Sequence, residues 1–280
     1  MKKIIFVIFF LKLSSALSYY QVLDQVDQTN QYYIIDMRAR SGNETEYFEN
    51  SVHFEWQQLS QLGLPSRGYI KSNVDSLVSD LSDLGIHPDK KIVIIGRGIR
   101  GRGEEGRVAY TLVKIGFKEV FISTGQFLRD HGFKSKSKAP PHILKSALFK
   151  VKINNDLALS RVDMKSLLRD KPKKISCIDL RPKNNLEQAF NLKYFCKKIE
   201  WRSFFTRNMK IDLLIAAELD RQQIKKEDQI ILLSEAGLSS GGITLAMREL
   251  GYRKAVNFEG GYSDLRALMF DSNILSERAK

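Results

Sequence analysis

Long apolar runs are missing from this sequence. The longest, Ile4 to Leu11, is far shorter than the ~20 residues a membrane-spanning helix needs, and no later run exceeds it. A membrane span in the mature chain is therefore excluded. Acidic residues are in deficit, 32 against 45 lysines and arginines, which leaves a formal charge of +13. The lysine clusters KSKSK (Lys134 to Lys138) and KPKK (Lys171 to Lys174) have no interleaved aromatics on which bases would stack, so no nucleic-acid partner is expected. There are only four histidines, His53, His87, His131 and His142, all in the first repeat or the linker that follows it. No Gly-x-Ser-x-Gly elbow surrounds Ser234, and no glycine loop is followed by Lys-Ser/Thr. These absences argue against an acyl-transfer role for Ser234 and against a phosphate-loop enzyme, and nothing calls for a cofactor. Cysteine is nearly absent: Cys177 lies in KKISCIDLR and Cys196 in KYFCKKIEW. Their strand-like settings are those of two buried free thiols, although an oxidising compartment would allow a disulfide between them.

What is present begins with a short leader. In MKKIIFVIFFLKLSSALS, Lys2 and Lys3 precede the apolar run, and Ala16 and Ser18 are spaced like a cleavage signal. Residues 1–18 are read as an export signal, which places the mature chain in the periplasm or outside the cell. No cysteine follows the run to carry a lipid. Losing Lys2, Lys3 and Lys12 and no acid lowers the formal +13 by three, to +10. Such an excess favours anionic or acidic envelope partners. The rest is ordinary globular composition, 43% hydrophobic and 28% charged. At roughly 150 residues per domain, the length suggests two domains.

An internal repeat sets the architecture. YYIIDMR (Tyr32 to Arg38) matches ISCIDLR (Ile175 to Arg181), and SVHFEW (Ser51 to Trp56) answers KKIEW (Lys197 to Trp201). KKIVIIG (Lys90 to Gly96) answers DQIILLS (Asp228 to Ser234), and GFKEVFISTGQF answers GYRKAVNFEGGY. Each unit alternates continuous apolar strands with helical patterns. That predicts an α/β fold of two tandem domains, each a mainly parallel sheet covered by helices on both faces. Residues 19–131 form the expected first domain, 132–148 a linker containing Pro140 and Pro141, and 149–280 the second domain.

This order of motifs resembles the tandem rhodanese sulfurtransferases over most of residues 30 to 270. AVNFEGGYSDL (Ala255 to Leu265) is similar to the family's C-terminal signature, departing from it at Tyr262, Asp264 and Leu265. GRVAYTLVKIGF (Gly106 to Phe117) resembles the helix after the vestigial loop of the family's N-terminal domain. The resemblance implies a catalytic cysteine in the loop after the fourth strand of the second unit. Counting back from Gly251-Tyr252 puts Ser234 at that position, with Gly237 as the expected glycine, and the matching loop of the first unit, GRGIRGRGEEGR, also lacks a cysteine. A hydroxyl does not replace a thiolate that must attack a sulfane sulfur and hold it as a persulfide.

The expectation is therefore a sulfurtransferase fold without its nucleophile, serving as a binding or scaffolding module. The alternative is a sulfurtransferase that uses Cys177 or Cys196 as a displaced nucleophile. Strand-to-helix loops point backbone N–H groups and a helix dipole at an anion, so Ser234, Gly237, Ser239 and Ser240 are candidate binding residues. In the first unit, Arg97, Arg100, Arg102 and Arg107 stand against Glu104 and Glu105, a formal +2 among close glycines. That loop is either a site for a small anion or a flexible surface segment. Asp36, Arg38, Asp179 and Arg181 are expected to brace strand ends.

Overall fold

The protein is described by a computed structural model covering residues 18–38, 46–64, 66–137, 145–170, 175–182 and 196–271. The leader other than Ser18, the KPKK cluster and the linker prolines Pro140 and Pro141 lie outside the described residues.

The first unit contains β1 (Gln21–Val22), β2 (Tyr32–Asp36), β3 (Tyr47–Phe48), β4 (Ser51–His53), α1 (Val74–Asp83), β5 (Lys91–Ile95), α2 (Glu104–Lys114), β6 (Val120–Ser123), α3 (Gly125–Asp130) and β7 (Ser135–Lys136). The second contains β8 (Ala158–Leu159), α4 (Arg161–Asp170), β9 (Ile175–Asp179), β10 (Lys197–Lys198), α5 (Ile215–Arg221), β11 (Gln229–Leu233), α6 (Leu238–Glu249), β12 (Ala255–Phe258) and α7 (Gly261–Asp271). The sheets run β1-β6-β5-β2-β4 and β8-β12-β11-β9-β10, the same order in both units. Every pairing within them is parallel. Their central strands, KIVII in β5 and QIILL in β11, are buried over their last four residues. Helices on both faces leave such strands no polar side, which is why they are apolar without alternation.

The repeat is exact at the strand ends. The Arg38 amide and Nε donate to Asp36 Oδ1 at 3.1 and 3.0 Å, and Nη2 to Oδ2 at 2.8 Å. Arg181 makes the same three contacts with Asp179, at 3.1, 3.0 and 3.0 Å. In both units a buried carboxylate fixes an arginine that closes the turn after the strand beside the central one, β2 or β9, a bracing role.

Two features are set by packing that the sequence does not display. Phe133 is buried beside Leu128 and Tyr32, and β7 pairs antiparallel with β3, so residues 133–136 pack onto the first unit. Cys177 and Cys196 are joined in a disulfide with Cα atoms 4.3 Å apart. This corrects the expectation of two free thiols: β9 and β10 are neighbouring strands, and the two residues face each other across them. Closing that loop stabilises the fold by about 3 kcal/mol in the chain-entropy account. No helix among the described residues is long and apolar enough to cross a membrane.

The units meet through equivalent helices. α2 and α6 cross so closely that a Cβ on Gly242 would lie 2.8 Å from Gly106 Cα, and the reverse holds. Only glycine leaves room there. Gly242→Val is expected to cost about 1–3 kcal/mol by overpacking this crossing. Gly63→Ala, which meets nothing within 4 Å, should leave the urea midpoint unchanged. Equal midpoints for the two variants would show that the crossing is not tight.

Candidate functional site

Ser234 follows β11, at the mouth of the second strand-to-helix loop. It is 2% exposed, and its oxygen accepts a hydrogen bond from the Ser240 amide at 3.1 Å. The Ser234 and Ser240 hydroxyls lie 2.9 Å apart, and Ser240 donates on to Asn257 Oδ1 at 2.6 Å. The serine therefore caps the first turn of α6 instead of facing solvent. Ser239 and Ser240 are buried as well.

The loop mouth is closed by the protein's own backbone. The Tyr262 amide donates to the Ser234 carbonyl at 2.8 Å, and a Cβ on Gly261 would lie 2.5 Å from Ala236 N and 2.6 Å from Gly237 N. Gly68 of the first unit lies against the Ala236 carbonyl, and Gly237 against that of Glu259. Ser234, Gly237, Ser239 and Ser240 are thus brought together, in packed structure and not in an open cradle. Glu235 stays exposed and accepts from the Ser263 hydroxyl at 2.9 Å.

The equivalent loop of the first unit, residues 96–103, is more open. Gly103 enters α2 at φ 91°, and a Cβ there would lie 2.9 Å from Ser239 Cα. The chain turns sharply at this glycine, against the second unit. Arg202 of that unit fixes the loop by donating to the Ile99 and Gly101 carbonyls at 2.8 and 3.1 Å.

The N–H cradle of this loop already holds an anion-forming group from the same chain. Glu105, 1% exposed, accepts from the Gly98 amide at 2.6 Å. Burial pushes its carboxyl up to about 7, and Glu104 adds to that push; the amides of Glu105, Gly98 and Arg97 oppose it. Its other oxygen, Oε2, has no partner among the described residues.

Beside Glu105 is a cleft of about 540 Å³ lined by His53, Trp56 and Gln57 from the segment at the end of β4 and by Arg97, Arg100 and Arg102 from the loop. Trp56 opens a short 3-10 turn, Trp56–Leu59, fixed by reciprocal capping between Glu55 and Gln58. Arg97, Arg100 and Arg102 are exposed, and Arg102 pairs with Glu104 at 3.0 Å.

Arg107 does not join them. It lies a full turn into α2, is 1% exposed, and its charge acts on Glu259 of the second unit. Its Nη2 donates to the Gly68 carbonyl and, at 3.4 Å, to the Ser60 hydroxyl, while Nε and Nη1 have no hydrogen-bond partner among the described residues. Of the four arginines read from the sequence as one loop site, three line the cleft and the fourth belongs to the interface. Sequence reasoning missed Trp56, Gln57 and Glu105 as cleft residues. Glu105 recurs with Val108 and Leu112 at helical spacing, so its place on the buried face of α2 was marked.

That interface is organised by Glu259, the acid of the FEGG motif. Its Oε1 accepts from Lys114 Nζ at 2.6 Å and from the Tyr110 hydroxyl at 2.9 Å, and Oε2 accepts from the Ile70 amide at 3.2 Å. Burial alone would raise its carboxyl; the charges of Lys114 and Arg107 outweigh this and hold it below the usual range.

No family profile and no curated sequence matches this chain. Solved structures do. Tum1 from Saccharomyces cerevisiae superposes with a TM-score of 0.68 at 15% identity, covering 91% of this chain and 96% of that one. The 3-mercaptopyruvate sulfotransferase SseA from Escherichia coli gives 0.67 at 16% identity, covering 83% and 93%. YnjE gives 0.66 at 16% identity over 84% of this chain, which spans only 60% of that protein's length. The chain therefore has the fold of the rhodanese sulfurtransferases, built in two tandem copies.

Proposed function

We propose that this chain is an exported rhodanese-like protein that does not transfer sulfur and acts as a binding or scaffolding module. The observation that carries the reading is the state of its nucleophile position. Ser234 stands there with its hydroxyl enclosed between Ser240 and the α6 amides, and a hydroxyl forms no persulfide. A displaced thiolate is no substitute, because both cysteines are held in one disulfide. The disulfide also supports export, since such bonds persist in oxidising compartments. Ser18, Tyr19 and Tyr20 contact Glu249 of the second unit, so cleavage near Ala16 would retain them as part of the fold.

The test is a thiosulfate:cyanide sulfurtransferase assay on the wild type and on Ser234→Cys. The wild type should show background turnover only. The variant should gain a thiol that the Ser240 amide and the α6 N-terminus favour as thiolate, but one too enclosed for turnover to rise above background. Sulfur transfer by the wild type would overturn the reading.

A further inference from the structure

The cleft of the first unit has the composition of a ligand site, and the proposed function does not yet use it. Three buried polar atoms at its wall have no partner among the described residues: Trp56 Nε1, Gln57 Oε1 and Glu105 Oε2. Glu105 is 1% and Trp56 6% exposed. Folded proteins rarely leave such atoms unpaired, and three together on one cleft point to a ligand that pairs them. The same cleft is lined by the exposed side chains of Arg97 and Arg100, with Arg102 already engaged by Glu104.

We propose that this cleft binds a small hydroxy- or amino-carboxylate, whose carboxylate pairs with Arg97 and Arg100 and whose hydroxyl or ammonium group meets Glu105, Gln57 and Trp56. The arginines select an anion, and their planar donor fork matches a carboxylate. The inner wall selects against a simple one. Sulfate or acetate offers acceptors alone, which would leave the Gln57 carbonyl oxygen unpaired. A ligand that carries its own donor satisfies both sides. A volume of about 540 Å³ suits a small molecule. The site lies beside the first unit's loop, away from Ser234, and the inference rests on the binding-module reading above.

The test is isothermal titration calorimetry on the full chain at pH 7 and constant ionic strength, with D-glycerate and L-serine as probes and acetate and sulfate as controls. At least one probe should bind with a dissociation constant below about 1 mM, and the controls at least about tenfold more weakly. The Arg97→Ala, Arg100→Ala double variant alters two exposed side chains, so it should fold as the wild type does and weaken the probe at least about tenfold. Trp56→Phe, which removes the Nε1 donor, should weaken it as well; if that variant fails to fold, the arginine variant still decides. Binding of neither probe, controls that bind as tightly, or affinity unchanged in the double variant would each overturn the inference. None of these results touches the absence of sulfur transfer, which the assay on Ser234 tests separately.

Discussion

Glu259→Ala is expected to destabilise the folded chain by about 3–5 kcal/mol, the range for removing one partner of a buried ion pair. The reason is asymmetric. The carboxylate is 3% exposed and neutralises two cations of α2, Lys114 by contact and Arg107 at longer range. Alanine leaves both charges buried without an anion, and also strands the Tyr110 hydroxyl and the Ile70 amide. Glu259→Gln keeps an acceptor for these two donors and should lose less. Urea unfolding at pH 7 gives the measurement, and a loss below about 1 kcal/mol for the alanine variant would show that water or rearrangement replaces the carboxylate.

The same pair fixes a pH dependence. The folded carboxyl is held below its usual range, so its contribution is fully present above the ordinary glutamate value of about 4.3. It is lost as pH falls through the depressed folded value. Because Lys114, Arg107 and Tyr110 belong to the first unit and Glu259 to the second, acid should loosen the junction between the units.

The architecture was legible from the repeat because the repeat is physical. Matching apolar strands at matching intervals, with β2 and β9 each closed by Asp-x-Arg, dictate the same parallel order twice, and the Asp36–Arg38 and Asp179–Arg181 pairs are made alike. Contacts between segments distant in sequence were not legible. The Cys177–Cys196 bond depends on β9 and β10 being neighbours, and a two-residue strand such as β10 gives almost no pattern.

The charge count of the first loop was misleading for a related reason. Four arginines against two glutamates read as a solvent-facing +2, yet Arg107 and Glu105 sit on α2 where it is enclosed by its own sheet and by α6. Helical spacing assigns a residue to a face. Whether that face is buried depends on what packs there, and here the packing partner is the other copy of the repeat.

Glu105→Gln is expected to stabilise the chain at pH 8 by about 3 kcal/mol and to change little at pH 4. The wild-type carboxyl, moved by burial from 4.5 to about 7, keeps its proton in the folded state where the unfolded chain has lost it. Between these values folding takes up a proton, so stability falls as pH rises, by about 1.4 kcal/mol for each unit of difference. The neutral form thus favours the folded state fully below about 4.5, and that advantage is gone above about 7. Glutamine offers the Gly98 amide an oxygen and carries no charge to desolvate, so it should not show this loss. Glu259 and Asp179, both held below the usual range, give the opposite slope at lower pH. Since they are common to both proteins, subtracting the wild-type urea stability from the variant's isolates position 105. Glu104 also disfavours the ionised form of Glu105, whereas the Tyr20 hydroxyl, raised by burial and by the Glu105 charge, stays neutral over this range. A difference that stays flat from pH 4 to pH 8 would mean that Glu105 is ionised throughout. In that case the loop amides would hold a full negative charge, and the cradle would be an anion site occupied by the protein itself.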